Sequence, residues 1–143
     1  MLNLKIKLKM EKQDFQILGN GTETQVIESA TDIMNEYINN LTPRERKVMQ
    51  LSSRASFCTY NDKNELVDSF EHCNMEFKTK KEFLKYIKDI EGCITEMAEK
   101  LPVTRNIEKY EDGYVVSYII LFDMINGNKL TDYVEFMVSG DFD

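Results

Sequence analysis

The chain has no tryptophan, one histidine, two prolines and three cysteines, and each shortage narrows what it can be. Cys58, Cys73 and Cys93 are odd in number, far apart and without a CxxC spacing. That excludes a disulfide framework and the usual structural zinc patterns, and points to reduced intracellular thiols. His72 is the single histidine, so no metal or cofactor is expected. No apolar run approaches the ~20 residues that a membrane-spanning helix needs. Lysines interrupt the apolar residues of MLNLKIKLKM, so the opening segment does not read as a secretory signal. The expectation is a cytoplasmic protein that stays off membranes.

Basic residues are missing between positions 13 and 43, and the whole chain carries −7. Such a balance opposes non-specific contact with nucleic acid or an anionic surface, so no direct nucleic-acid binding is expected. The charge is uneven: residues 89–143 hold −8, whereas 44–88 hold +3. Alanine (3) and arginine (4) are scarce beside lysine (14), isoleucine (12) and asparagine (11), a skew that fits AT-rich coding DNA of low-GC bacteria and their phages.

What is present is globular. Hydrophobic residues make up 42% and charged residues 30% of 143 positions, which reads as one domain over 1–143. Its centre is Val103–Gly140, a three-stranded antiparallel meander around Tyr114–Ile125, a stretch dense in β-branched and aromatic residues. Asp112-Gly113 reads as a two-residue turn that sets Ile107 opposite Tyr118 and Val103 opposite Phe122. Asn126-Gly127-Asn128 supplies the second turn. A three-residue loop there sets Tyr118 against Phe136, Ile120 against Val134 and Met124 against Leu130, and buries more apolar surface than a two-residue loop. One face then gathers Val103, Ile107, Val116, Tyr118, Ile120, Phe122, Val134, Phe136 and Val138 as the core. The other carries Tyr110, Val115, Ile119, Leu121, Tyr133 and Met137 among Glu108, Ser117, Asp123 and Glu135. That is too apolar for a solvated face, so something is expected to cover it.

Elsewhere, Leu2–Met10 alternates apolar residues with Asn3 and lysines, as a half-buried edge strand does. Phe15, Ile17 and Leu18 continue it or turn back as a partner. Thr22–Leu41 has helical spacing with a capping box from Thr22 and Gln25. Thr42-Pro43-Arg44-Glu45 opens a second helix, and Phe57–Tyr60 and Glu65–Phe70 read as strands. Thr79–Leu101 is the longest helix, capped by Thr79 and Glu82 and stopped by Pro102. Its seam is Phe83, Ile87, Ile90, Ile94, Met97 and Leu101, and Gly92 interrupts it as though another backbone came close. The order implies an α+β two-layer domain: a curved antiparallel sheet ending in the meander, packed by about three helices.

Two resemblances accompany this reading. The run LTPRERKVMQL resembles the opening of the helix-turn-helix in LuxR-type regulators, but SSRASFCTYND after it lacks a second amphipathic helix to enter the major groove. From the first helix onward, the element order resembles the NTF2-like superfamily, whose helices close around a bent sheet. That likeness implies a pocket or a sheet-mediated dimer.

Two functions follow as expectations. The first is a small acidic non-enzymatic protein, of the kind phages or mobile elements encode, that binds and inhibits a host protein. Its surface would be Tyr110, Val115, Ile119, Leu121, Tyr133 and Met137 with Glu108, Glu111, Asp112 and Glu135. The same apolar face would serve a homodimer. The second is an NTF2-like small-molecule or hydrolytic pocket between sheet and helices, using Asp132, Tyr118, Asp123 or His72. Asp132 is the sharpest of these, since the preferred register faces it inward opposite Phe122.

Overall fold

The structure is a computed structural model that describes residues 10–19 and 28–142. Of the expected Leu2–Met10 strand only Met10 is described, and the expected Thr22–Gln25 cap lies outside the described residues. Met10–Gly19 forms strand β1.

Helix α1 spans Ala30–Asn39, and Ser29 is its N-cap, with its hydroxyl accepting from the Asp32 amide at 3.0 Å. Helix α2 is Pro43–Val48, with the Thr42–Glu45 capping box complete. Strands β2 (Gln50–Tyr60) and β3 (Leu66–Phe77) form a hairpin longer than its apolar runs suggest. Helix α3 (Lys80–Ala98) starts at the Thr79 cap, and β4 (Val103–Tyr110), β5 (Gly113–Ile125) and β6 (Asn128–Ser139) complete the meander. No second helix follows α2. Strand β2 begins at Gln50, which removes the helix-turn-helix geometry.

The six strands run in the order β1-β4-β5-β6-β2-β3, every neighbouring pair antiparallel. The sheet is curved and does not close on itself. Helices α1 and α3 cover one face. Ile33, Met34 and Ile38 of α1 and Phe83, Ile87 and Ile94 of α3 share a core with Val103, Val116, Tyr118, Phe136 and Val138. Within α3 the buried stripe ends on Ala98, leaving Met97 exposed. Around Gly92 there is open space, and among the described residues no backbone approaches it.

Up to the Phe122 bulge the meander keeps its expected faces but not its expected pairs. Tyr110 faces Gly113, so the first loop is Glu111-Asp112, Ile107 pairs with Val116 and Val103 with Ile120. Neither loop residue has positive φ, so the Asp112-Gly113 type I′ turn is not formed. The second turn does have that character: Asn126 (φ 53°) and Gly127 (φ 82°) form a two-residue loop that pairs Ile125 with Asn128. A bulge at Phe122 then advances the register, pairing Ile120 with Asp132 and Tyr118 with Val134. The expected three-residue loop is replaced by a shorter loop plus a bulge. Both departures move the inner register by two residues, and an even shift leaves those side chains on their original faces. Beyond the bulge the shift is a single residue, so Asp123, opposite Leu130, turns to the helix side, and Phe122, expected in the core, is 44% exposed because the bulge leaves it without a cross-strand partner.

Candidate functional site

Where the helices stop, the helix-side face of the sheet continues uncovered toward the β2–β3 and β5–β6 turns. Phe57 stands there between Phe70 on β3 and Asp132 on β6, its direct cross-strand partners. Phe70 is 64% exposed, Phe57 45% and the bulge residue Phe122 44%. Phe122 meets Phe57 edge-on at 6.1 Å between centroids. The two turns are tied together by Lys129, whose Nζ donates to Asn64 Oδ1 at 2.6 Å.

A second bulge, on β3, leaves His72 without a partner on β2 and frees it to reach across that strand. Its ring stacks on Phe57 at 4.2 Å, and its Nε2 lies 3.0 Å from Asp132 Oδ1. Two pocket candidates 60 residues apart in the sequence therefore meet. Asp132 sits inward as expected, although opposite Ile120 rather than Phe122. The other two candidates stay apart. Asp123 is exposed and accepts the Met124 amide at 2.7 Å. Tyr118 is fully buried under α3, donating its hydroxyl to Glu91 Oε2 at 2.6 Å, and burial beside that carboxylate holds its phenol well above the usual range. A histidine–aspartate pair orients an imidazole and can act as a base. Covalent catalysis also needs a nucleophile within reach. Among the described residues His72 has no hydroxyl or thiol hydrogen-bond partner.

On the opposite face, Val115 and Met137 are buried in a small cluster with Tyr110. Ile119, Leu121 and Tyr133 are half-buried, so this face is less open than its composition suggests. Its polar members form a network. Tyr133 donates to Glu135 Oε1 at 2.8 Å, Tyr110 donates to Glu108 Oε2 at 3.1 Å, and Arg54 Nε lies 3.2 Å from Glu71. Glu135 is 3% exposed, and its Oε2 has no partner among the described residues. Burial pushes its pKa up, against the pull of the Tyr133 hydroxyl and Arg54. The same burial, with Glu108 close by, pushes Tyr110 up to about 12. Glu111 is exposed, whereas Asp112 is half-buried and its Oδ1 has no partner among the described residues.

The sequence reading also missed a buried ionic junction beneath the helices. Arg105, 1% exposed, faces inward between Val103 and Ile107. Its Nη1 donates to the Glu28 carbonyl at 2.7 Å and lies 3.6 Å from Glu91 Oε2, which also accepts the Ala30 amide at 2.8 Å. The signal was available: an arginine at an inward position of an alternating strand needs a buried acceptor.

No family model, curated protein or solved structure matches the chain. Among the described residues, no three His, Cys, Asp or Glu side chains converge to hold a metal ion, and no helix is long and apolar enough to cross a membrane. Cys58 is buried, Cys73 half-buried and Cys93 exposed, none in a disulfide.

Proposed function

We propose that this protein is a non-enzymatic binding module that engages a protein partner through its sheet. The supporting observation is the concentration of exposed apolar side chains at one end: Phe57, Leu66, Phe70, Phe122, Met124 and Ile125, around two hairpin turns. Exposed apolar side chains gathered at one end of a sheet mark interaction sites, and exposed aromatic anchors supply most of the energy in such contacts. The contact end is thus the tip of the two hairpins, with the acidic C-terminal third beside it, rather than the Val115–Met137 face. Inhibition of a host factor in the cytoplasm remains the proposed role, in keeping with a phage-like composition.

Immobilised protein should retain a partner from a low-GC bacterial lysate. The Phe70→Ser/Met124→Ser variant, altered at the most exposed anchors, should lose it by about thirtyfold or more, the scale of two interfacial anchors. Undiminished retention by that variant would remove the reading.

One observation favours a small-molecule site instead, the contact of His72 with Asp132 beside two phenylalanines. A ligand bound there would shift the His72 ring resonances in an NMR titration against a small-molecule library. His72→Ala would abolish that binding without affecting partner retention.

A further inference from the structure

Carboxylates gather at the uncovered end of the sheet. Strand pairing places Asp123, Leu130, Thr59 and Asp68 in one row across β5, β6, β2 and β3, and Asp132, Phe57 and Phe70 in the next row inward. Residues two apart on a strand share a face, so Asp68 and Asp123 stand on the helix side with Phe57, Phe70 and Asp132. Both are exposed, and Asp132 is half-buried. Asp62 and Glu65 add two more carboxylates where β2 turns into β3. Against these five acids the two hairpin turns carry two lysines, Lys63 and Lys129, and Lys129 already donates to Asn64. Lys100, where α3 ends, is offset by Glu99.

The rings of this end suit a cation as well. An aromatic ring presents a negative face, which attracts a positive group placed over it. His72 covers one face of Phe57, and Phe122 meets Phe57 at an interplanar angle of 72°. Among the described residues no ring is stacked on Phe122 or Phe70. Phe122 precedes Asp123 and touches the cross-strand partner of Asp132, so both carboxylates are close to its ring. His72 occupies Oδ1 of Asp132, and Oδ1 of Asp123 accepts a backbone amide. Among the described residues neither carboxylate is paired with a lysine or arginine. A second copy of this end is a poor occupant, because it would bring the same excess of carboxylates against the first.

We infer that this end receives a cationic side chain of the protein partner, an arginine or lysine with apolar neighbours. Its charged group lies over Phe122 next to Asp123 and Asp132, and the apolar neighbours rest on Phe57 and Phe70 with Asp68 at the rim. The rings supply the contact area, and the carboxylates select a positive partner over a neutral or negative one. This inference rests on the reading of the hairpin end as the contact surface and adds the chemistry of what binds there.

The test titrates the full chain with short capped peptides that carry an arginine between leucines, or citrulline in its place. Citrulline keeps the shape of arginine without its charge. In NMR spectra the arginine peptide should shift the ring resonances of Phe57, Phe70 and Phe122. It should bind about tenfold more tightly than the citrulline peptide, and the difference should shrink as salt rises. Asp123→Asn/Asp132→Asn keeps the size of both side chains and removes their charge. That variant should bind the arginine peptide about tenfold more weakly than wild type does and the citrulline peptide equally well. Equal binding of the two peptides by wild type, or arginine binding undiminished in the variant, would overturn the inference and leave an apolar contact end standing. No shift of these rings at millimolar arginine peptide would overturn it as well. Lysate retention by Phe70→Ser/Met124→Ser tests the parent reading separately.

Discussion

Removing the Glu91 carboxylate tests how the two layers are held together. One oxygen, Oε2, accepts the Tyr118 hydroxyl at 2.6 Å from β5 and the Ala30 amide at 2.8 Å from the start of α1. It also faces Arg105 on β4 at 3.6 Å. Glu91→Ala takes the carboxylate away from an arginine that is 1% exposed and leaves a hydroxyl and an amide without this acceptor. Deleting one partner of a buried ion pair costs about 3–5 kcal/mol. Tyr118→Phe leaves the carboxylate facing Arg105 in place, so it should cost less, about 1.5–3 kcal/mol, the range for hydrogen bonds to charged groups. In the Glu91→Ala background the Tyr118 hydroxyl has already lost its acceptor, and Tyr118→Phe should then cost clearly less than it does alone. Urea denaturation of the four proteins reads these values, provided the m-value is unchanged. Additive costs, or a Glu91→Ala loss below about 1 kcal/mol, would refute the claim that this oxygen joins α1, α3 and the sheet.

Three further outcomes are expected. Gly92→Ala should stabilise the protein by about 0.5–1 kcal/mol in thermal unfolding, because the site is helical and a Cβ there meets open space. Gly127→Ala should destabilise by about 1 kcal/mol, since φ of 82° in the β5–β6 turn disfavours any side chain. Glu135 has a folded-state pKa above its unfolded value, so its contribution favours folding at low pH and is lost as pH rises from the ordinary glutamate range through the raised value. Glu135→Gln should therefore gain stability relative to wild type near neutrality, and the gain should shrink on acidification. A difference independent of pH in urea melts would contradict the burial of this carboxylate.

The sequence by itself determined what is local. Thr42 with Glu45 and Thr79 with Glu82 marked two helix starts, because a cap is a contact between residues three apart. Alternation also sorted the meander into its two faces as far as the Phe122 bulge, since burial acts on a period of two whatever the pairing. Only the tertiary structure decided which residues meet. It set β2 beside β6 and β1 beside β4, and it placed the Phe122 bulge that moved Asp132 opposite Ile120. It also brought together His72 with Asp132 and Arg105 with Glu91. These contacts depend on strand order, bulges and the seating of α3, which answer to the packing of the whole core. A few neighbouring residues cannot encode them. Side-chain periodicity repeats every two residues and so constrains the face of a strand, while the choice among registers of the same parity is left to long-range packing.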